Sequence, residues 1–156
     1  MTSNLWTRAA FALSFAALVG TEAHAAAENP FFSASTLPYQ APRFDLIKDS
    51  DYAPAFERGM ADHLREITAI ANNKAAPTFE NTIVAMEKSG RLLDRVQETF
   101  FGVYQANSDA ELDKVESREA PRLSQHEDEV YLNERLFARV KAIYYARASL
   151  NLNAEQ

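Results

Sequence analysis

From Asp51 to about Ala148, apolar residues recur at steps of three and four, the spacing that puts them on one face of an α-helix. Three prolines lie ahead of this region, between residues 30 and 42, where they prevent a regular helix and favour extended backbone. The sequence therefore predicts an all-α fold: antiparallel helices preceded by an extended, proline-rich N-terminal arm.

The first helix is predicted to begin at Asp51. An aspartate there can cap free amides, and Pro54 would lie in the first turn, where its missing N–H costs nothing. Phe56, Met60 and Ile67 mark its apolar stripe, and Asn72-Asn73 is predicted to close it.

The stretch 77–90 reads as a capped amphipathic helix, with Thr78 as the cap. Phe79, Ile83 and Met86 are predicted to face inward. The apolar period resumes after Gly90, so residues 78–106 form either one long kinked helix or two helices that meet at Gly90. The periodicity favours a continuous or nearly continuous rod.

Ser108 and Glu111 have the spacing of a reciprocal capping box, which predicts the next helix start. Pro121 must kink that helix or split it, because proline removes an internal hydrogen bond. The charged run 116–129 is expected to be a solvated face. Asn133 is the predicted cap of a last helix that ends near Ala148.

The first 25 residues have the features of a signal peptide: one positive charge, a short apolar run and the small-x-small pattern of Ala23-His24-Ala25. Cleavage is predicted after Ala25, with Ala27 as the nearest alternative. A buried N-terminal helix or a membrane anchor is the competing interpretation. No later window is long and apolar enough to span a bilayer, so the mature chain is expected to be exported, and periplasmic in a Gram-negative bacterium.

The predicted organisation is a signal peptide over residues 1–25, an arm over 26–50 and a helical region over 51–156. The arm carries many apolar side chains, among them Phe31, Phe32 and Phe44. We therefore expect it to be ordered, in a groove of a larger body; a flexible exported N-terminus is the alternative.

Composition narrows the possible chemistry. The 156 residues carry a net charge of −6, and loss of residues 1–25 removes only Arg8 and Glu22, which leaves that charge unchanged. A negative chain disfavours a nucleic-acid partner. There is no cysteine, which excludes disulfides, thiolate metal sites and a cysteine nucleophile. Beyond the predicted leader, only His63 and His126 remain for acid–base or metal chemistry.

His126-Glu127-Asp128-Glu129-Val130 begins like the metallopeptidase motif H-E-x-x-H, in which two histidines bind zinc and the glutamate activates water. Val130 stands where the second histidine should be. His126 is therefore expected to be a surface residue, and His63 a hydrogen-bonded or surface one. Phe100, Phe101 and Tyr104 are expected to be core rather than a binding box. No catalytic, cofactor-binding or metal-binding residue is predicted in this chain.

Several segments nevertheless resemble one family in their order and spacing. These are NPFF at Asn29–Phe32, TLPY at Thr36–Tyr39, PAFE at Pro54–Glu57, PTFENTI at Pro77–Ile83, EKSGRLL at Glu87–Leu93 and YLN at Tyr131–Asn133. From about Asn29 to Gln156, the chain resembles the N-terminal region of the bacterial peptidyl-dipeptidases, also called dipeptidyl carboxypeptidases. These belong to the thimet-oligopeptidase-like zinc metallopeptidases; PTFENTI is shared with oligopeptidase A-like members.

The resemblance implies a helical, two-lobed enzyme around a deep channel that admits short peptides and releases C-terminal dipeptides. Its zinc ligands, an H-E-x-x-H helix and a further glutamate, lie far downstream of the region matched here. The N-terminal helices form part of the channel wall. The resemblance thus implies zinc in the full-length parent enzyme and none bound by this chain.

Two hypotheses follow. In the first, the chain is an exported N-terminal fragment of such a peptidase, inactive without the missing C-terminal part; residues 150–156, which read as the start of an unfinished helix, favour truncation. In the second, it is a non-enzymatic periplasmic helical binding module. The fragment hypothesis is preferred, because helices built to pack on absent elements should expose apolar patches.

Overall fold

The computed structural model describes residues 28–153. Two 3₁₀ turns, Pro30–Phe32 and Pro38–Gln40, precede α1 (Asp49–Ala71). A π-helical turn, Phe79–Val84, leads into the short α2 (Ala85–Glu87), followed by α3 (Arg91–Ala106), α4 (Ala110–Tyr131), α5 (Glu134–Ala146) and a last 3₁₀ turn, Arg147–Ser149. No strand occurs within this range, which confirms the all-α prediction. The predicted signal peptide and residues 154–156 lie outside the described part.

α1 is the central helix and packs against α3, α4 and α5. Its closest approach is to α3, where a Cβ built on Gly59 would lie 3.0 Å from the Cα of Leu93. Only glycine leaves room for two backbones at that distance. Between residues 28 and 153, no helix is long and apolar enough to cross a membrane.

Two apolar clusters line α1. The larger one contains Phe56 and Phe100, which are fully buried and meet edge to face at 5.4 Å. The smaller one, toward the end of α1, joins Ile67 and Ala71 to Val130 of α4 and Leu136 of α5. Phe101 and Tyr104 pack against the larger cluster, which confirms that these aromatics belong to the core.

The N-terminal arm is anchored to α1 at its start. The side chain of Asn29 accepts a hydrogen bond from the Phe31 amide and donates one to the Asp51 carbonyl. Phe31 is buried in the larger cluster, and Arg95 donates to its carbonyl. Farther along, Tyr39 and Phe44 are exposed, so the arm contributes one core side chain and leaves several apolar groups uncovered.

The predicted cap of α1 was wrong. The helix begins at Asp49, and Asp51 lies in its first turn, where its carboxylate accepts from the Lys48 amide. Pro54 is therefore the sixth residue of the helix, beyond its first turn, yet the helix continues through it. The predicted end is confirmed, since α1 stops at Ala71 with Asn72 as its C-terminal cap.

The favoured continuous rod was also wrong: two helical segments meet at Gly90. Gly90 has φ +75, a left-handed conformation that ends one helix and precedes the next. Its amide donates to the carboxylate of Glu66 at 2.7 Å. Contrary to its expected place inside a helix, Gly90 lies just before α3.

Thr78 is confirmed as a cap, because its hydroxyl accepts from the Asn81 amide. The inward face differs from the prediction, however. Thr82 is fully buried, whereas Phe79, Ile83 and Met86 are only half-buried. The π-helical turn accounts for the difference, because its wider turn changes the register of the side chains that follow.

In α4, the cap is Asp109 rather than the Ser108–Glu111 box. One oxygen of Asp109 accepts from the amides of Glu111 and Leu112, while Ser108 donates to Asp113. The helix is not split, because α4 runs unbroken through Pro121. Asn133 is confirmed as the cap of α5.

Candidate functional site

Two histidines meet where α1 packs on α4. Nδ1 of His63 lies 2.9 Å from Nε2 of His126, a hydrogen-bonding distance, and the two ring centres are 5.0 Å apart. On α1, His63 follows Met60 of the larger cluster and precedes Ile67 of the smaller one. On α4, His126 lies between Leu123 and Val130 in the same way. The pair is thus a polar seam between two apolar clusters.

The surroundings of the seam are partly open. A cavity of about 200 Å³ beside the two rings is lined also by Asp94 and Gln97 of α3 and by Glu127 of α4. His126 itself is only 4% exposed, whereas His63 is half-buried. Apolar side chains, among them Leu93 and Leu123, complete the lining, so the cavity is partly polar and can take water.

Burial lowers the pKa of both imidazoles. For His63, burial outweighs the opposing effect of Asp94 and Glu66, whose negative charges favour the protonated ring. For His126, burial is again the main cause and the neighbouring His63 lowers the pKa further, against Glu129 and Glu127. Both rings are therefore held neutral more firmly than an exposed histidine at neutral pH.

Among residues 28–153, one buried atom of the pair has no hydrogen-bond partner from the protein: Nδ1 of His126. A buried polar atom without a partner is uncommon in native proteins and costs free energy. It is the unusual feature of this seam.

The expectation that His126 lies on the surface was wrong. Residues 116–129 do present a solvated face, but Glu119, Leu123 and His126 lie on the buried side of the helix. The buried residues of α4 are Leu112, Glu119, Leu123, His126 and Val130, one inward face in a single register. That register follows from the sequence when the helix is continued through Pro121. The sequence left open whether proline kinks or splits the helix there.

The donors present do not fit a zinc centre. Two imidazole nitrogens on one tetrahedral zinc lie about 3.3 Å apart, given zinc–nitrogen bonds of about 2.0 Å. The observed 2.9 Å is that of a direct hydrogen bond. Val130 supplies no donor and is buried in the smaller cluster. Within residues 28–153, no three histidine or carboxylate groups lie close enough to hold a metal ion.

A second concave region lies between the arm and α3. Its volume is about 450 Å³, and Pro42, Phe44 and Val103 are among its lining residues. It carries the polar groups of Arg95 and Glu98, and the Arg95 guanidinium also donates to the Phe31 carbonyl. The groove is open and mainly apolar, and it places no nucleophile beside a base.

A third feature is an apolar surface at the end of α4 and along α5, which we name the α5 surface. It consists of large side chains that are all more than half exposed: Tyr131, Leu132, Phe137, Tyr144 and Tyr145. Exposed apolar groups in such number commonly mark a contact with another protein element. Sequence periodicity could not reveal this surface, since it assigns apolar helix positions to the core.

Comparison with known proteins supports the predicted resemblance. The chain is 46% identical over 127 residues to dipeptidyl carboxypeptidase from Salmonella typhimurium, and 46% identical over 127 residues to dipeptidyl carboxypeptidase from Escherichia coli. No protein-family model matches it. Each match covers 81% of this chain but only 19% of the relative. Over four-fifths of its length, this chain is therefore similar to about one-fifth of a bacterial dipeptidyl carboxypeptidase, as its motifs predicted.

Proposed function

We propose that this chain is the N-terminal helical part of an exported zinc metallopeptidase that releases C-terminal dipeptides from short peptides. The observation that carries the proposal is the 46% identity over 127 residues to two dipeptidyl carboxypeptidases, of whose length it matches 19%. In this role the helices form part of the wall around the peptide channel, and zinc is bound by residues outside this chain.

The α5 surface supports that role. Five large apolar side chains exposed on one region of a 156-residue chain are expected where helices pack against the rest of a larger protein. The described residues also lack the donor set of a zinc centre. We therefore propose that the chain alone does not cleave peptides.

A segment exchange tests the proposal. The matched 127-residue segment of the Escherichia coli dipeptidyl carboxypeptidase would be replaced by the corresponding residues of this chain. We expect the chimera to release C-terminal dipeptides with a kcat/KM within about tenfold of that of the parent enzyme. The exchanged segment would form part of the channel wall and position the substrate, while the catalytic groups stay unchanged. A matched chimera with the buried Phe56→Asp should lose its folded state and activity. A folded chimera without activity would contradict the proposal.

The isolated chain provides the complementary measurement. Incubated with zinc and a short peptide, it should release no dipeptide. Release that a chelator abolishes would show that the chain holds a metal site and would overturn the inactive-fragment proposal.

Export is tested separately. In Escherichia coli, the periplasmic product should begin at Ala26, the residue after the proposed cut, or at Glu28 if cleavage follows Ala27. Replacing Ala25 with a large residue should retain the uncleaved chain, because signal peptidase requires a small residue before the cut. A product that stays in the cytoplasm uncleaved would contradict export.

A further inference from the structure

The His63–His126 seam has one feature that packing does not explain, the unpaired Nδ1 of a ring that is almost fully buried. If His126 only filled space in the core, its Nε2 would not need to lie 2.9 Å from Nδ1 of His63. The way the protons are distributed over the four ring nitrogens determines how the pair responds to pH.

When both rings are neutral, they carry one proton each. If Nε2 of His126 donates to Nδ1 of His63, the unpaired Nδ1 of His126 is bare, and His63 keeps its proton on Nε2. If His63 donates instead, the proton of His126 must lie on Nδ1, which is a buried N–H without an acceptor. Buried N–H groups without acceptors are rare. The first arrangement is therefore the stable neutral one.

A third proton cannot be added without a cost. The facing nitrogens share one proton, and Nε2 of His63 already carries another, so the added proton must go to Nδ1 of His126. The only other choice is Nδ1 of His63, which would then oppose the N–H of His126 and break the hydrogen bond. Every singly charged state thus either buries a charged, unpaired donor or loses the bond between the helices.

We propose that the His63–His126 pair is an acid-sensitive latch: its hydrogen bond strengthens the contact of α4 with α1 while both rings are neutral, and it breaks when the pair takes up a proton, which weakens that contact. The released His126 can turn toward the polar cavity beside it, where carboxylates of Asp94 and Glu127 are available as acceptors. The latch does not depend on the proposed peptidase role.

The charged and titratable groups around the pair come from three helices. They are Glu57, Asp62 and Glu66 of α1, Asp94 of α3, and Arg122, Glu127, Glu129 and Tyr131 of α4. Several are already engaged: Glu66 accepts from the Gly90 amide, Asp62 pairs with Arg65, and Arg122 pairs with Glu57 and Glu119. Their net negative charge favours a protonated pair, but burial prevails and the pKa of each ring stays lowered.

The sign of the pH effect follows from the lowered pKa values. The folded chain binds the proton less readily than the unfolded chain, whose histidines have the ordinary pKa of 6.5. The contribution to stability is therefore complete above that pH and is lost as the pH falls through it toward the folded pKa.

The test compares the full chain with its His126→Gln variant. The glutamine amide can donate to a neutral His63 and accept from a charged one, so it keeps the contact in both states. Between about pH 7.5 and pH 5, we expect the unfolding constant of the unaltered chain to rise about tenfold more than that of the variant, as for one unpaired buried donor. An equal rise in both would overturn the latch.

Nitrogen NMR of the unaltered chain gives an independent measurement should the variant not fold. With ¹⁵N-labelled histidine, we expect His126 to show a protonated Nε2 and a bare Nδ1 at neutral pH, and both rings to titrate below the ordinary range together with shifts in nearby α1 and α4 amides. Rings that titrate at the ordinary value, or a proton on Nδ1 of His126 at neutral pH, would overturn the proposal.

Discussion

Gly90 and Gly102 both lie in the stretch 78–106 for which the sequence favours a continuous rod, yet an alanine at each should change the free energy of unfolding in opposite directions. Gly90 has φ +75, and a Cβ there would lie 3.2 Å from the His63 ring. We expect Gly90→Ala to lower the free energy of unfolding by about 1–2 kcal/mol. A Cβ at Gly102, within α3, meets nothing within 4 Å, so Gly102→Ala should raise that free energy by about 0.5–1 kcal/mol. Urea unfolding measures both, and equal signs would contradict the break at Gly90.

Arg139 of α5 is a buried cation whose guanidinium hydrogen-bonds to neutral oxygens. It donates to the Asn73 and Ala75 carbonyls and to the side chains of Asn81 and Thr82. One side chain thus secures the loop after α1 and the π-helical turn.

We expect Arg139→Gln to lower the free energy of unfolding by about 2–3 kcal/mol, because it leaves several of these acceptors without a donor. Arg135→Gln is the matched control: Arg135 is exposed on the same helix and hydrogen-bonds Asn72, so its loss should cost about 0.5 kcal/mol or less. Chemical denaturation at neutral pH measures both. Similar losses in the two variants would show that the buried network contributes little.

The burial of His126 could not be predicted from the residues next to it in the sequence. Its neighbours Gln125, Glu127 and Asp128 are polar, which favoured a surface assignment. Its partner His63 is 63 residues away in the chain, so no local pattern could reveal the contact. Burial of a polar residue in a charged segment depends on tertiary packing, which periodicity reports only when the helix register is known.

Helix α4 offers a test of capping. Asp109 accepts from two backbone amides, whereas Ser108 bonds to the exposed Asp113 side chain. We expect Asp109→Ala to lower the free energy of unfolding by about 1 kcal/mol and Ser108→Ala by clearly less. Thermal unfolding followed by circular dichroism distinguishes them; a larger loss for Ser108→Ala would restore the capping box that the sequence predicted.

The long helices were predictable as elements, and their ends were less so. Thr78 and Asn133 were identified because each is a single candidate cap beside an apolar period, and the end of α1 because Asn72-Asn73 interrupts that period. Where two candidate caps were adjacent, as at Ser108 and Asp109, the pattern could not decide between them. The π-helical turn was missed altogether, since it has the same composition as an α-helix and differs only in its hydrogen bonds.

For the whole molecule, the α5 surface leads to a prediction about association. A chain that exposes Phe137, Tyr144 and Tyr145 together should self-associate as its concentration rises. We expect Phe137→Ser with Tyr145→Ser to shift it toward the monomer in sedimentation experiments. Phe44→Ser is a suitable control, because Phe44 is exposed to the same degree, 60% against 61%, but lies on the arm.

The same experiment separates the two hypotheses for the chain. Association that depends on the α5 surface agrees with a segment that packs on the rest of a peptidase. A monomer that unfolds in one cooperative transition, with or without the substitutions, would favour the independent binding module.

The anchoring of the arm limits how far proteases can shorten the chain. Asn29 ties the chain to α1, and Phe31 places its ring among the core side chains. An aminopeptidase that trimmed past Phe31 would have to extract that ring, at a cost of about 3–5 kcal/mol. An aminopeptidase should therefore stop before Phe31, and the folded body should persist.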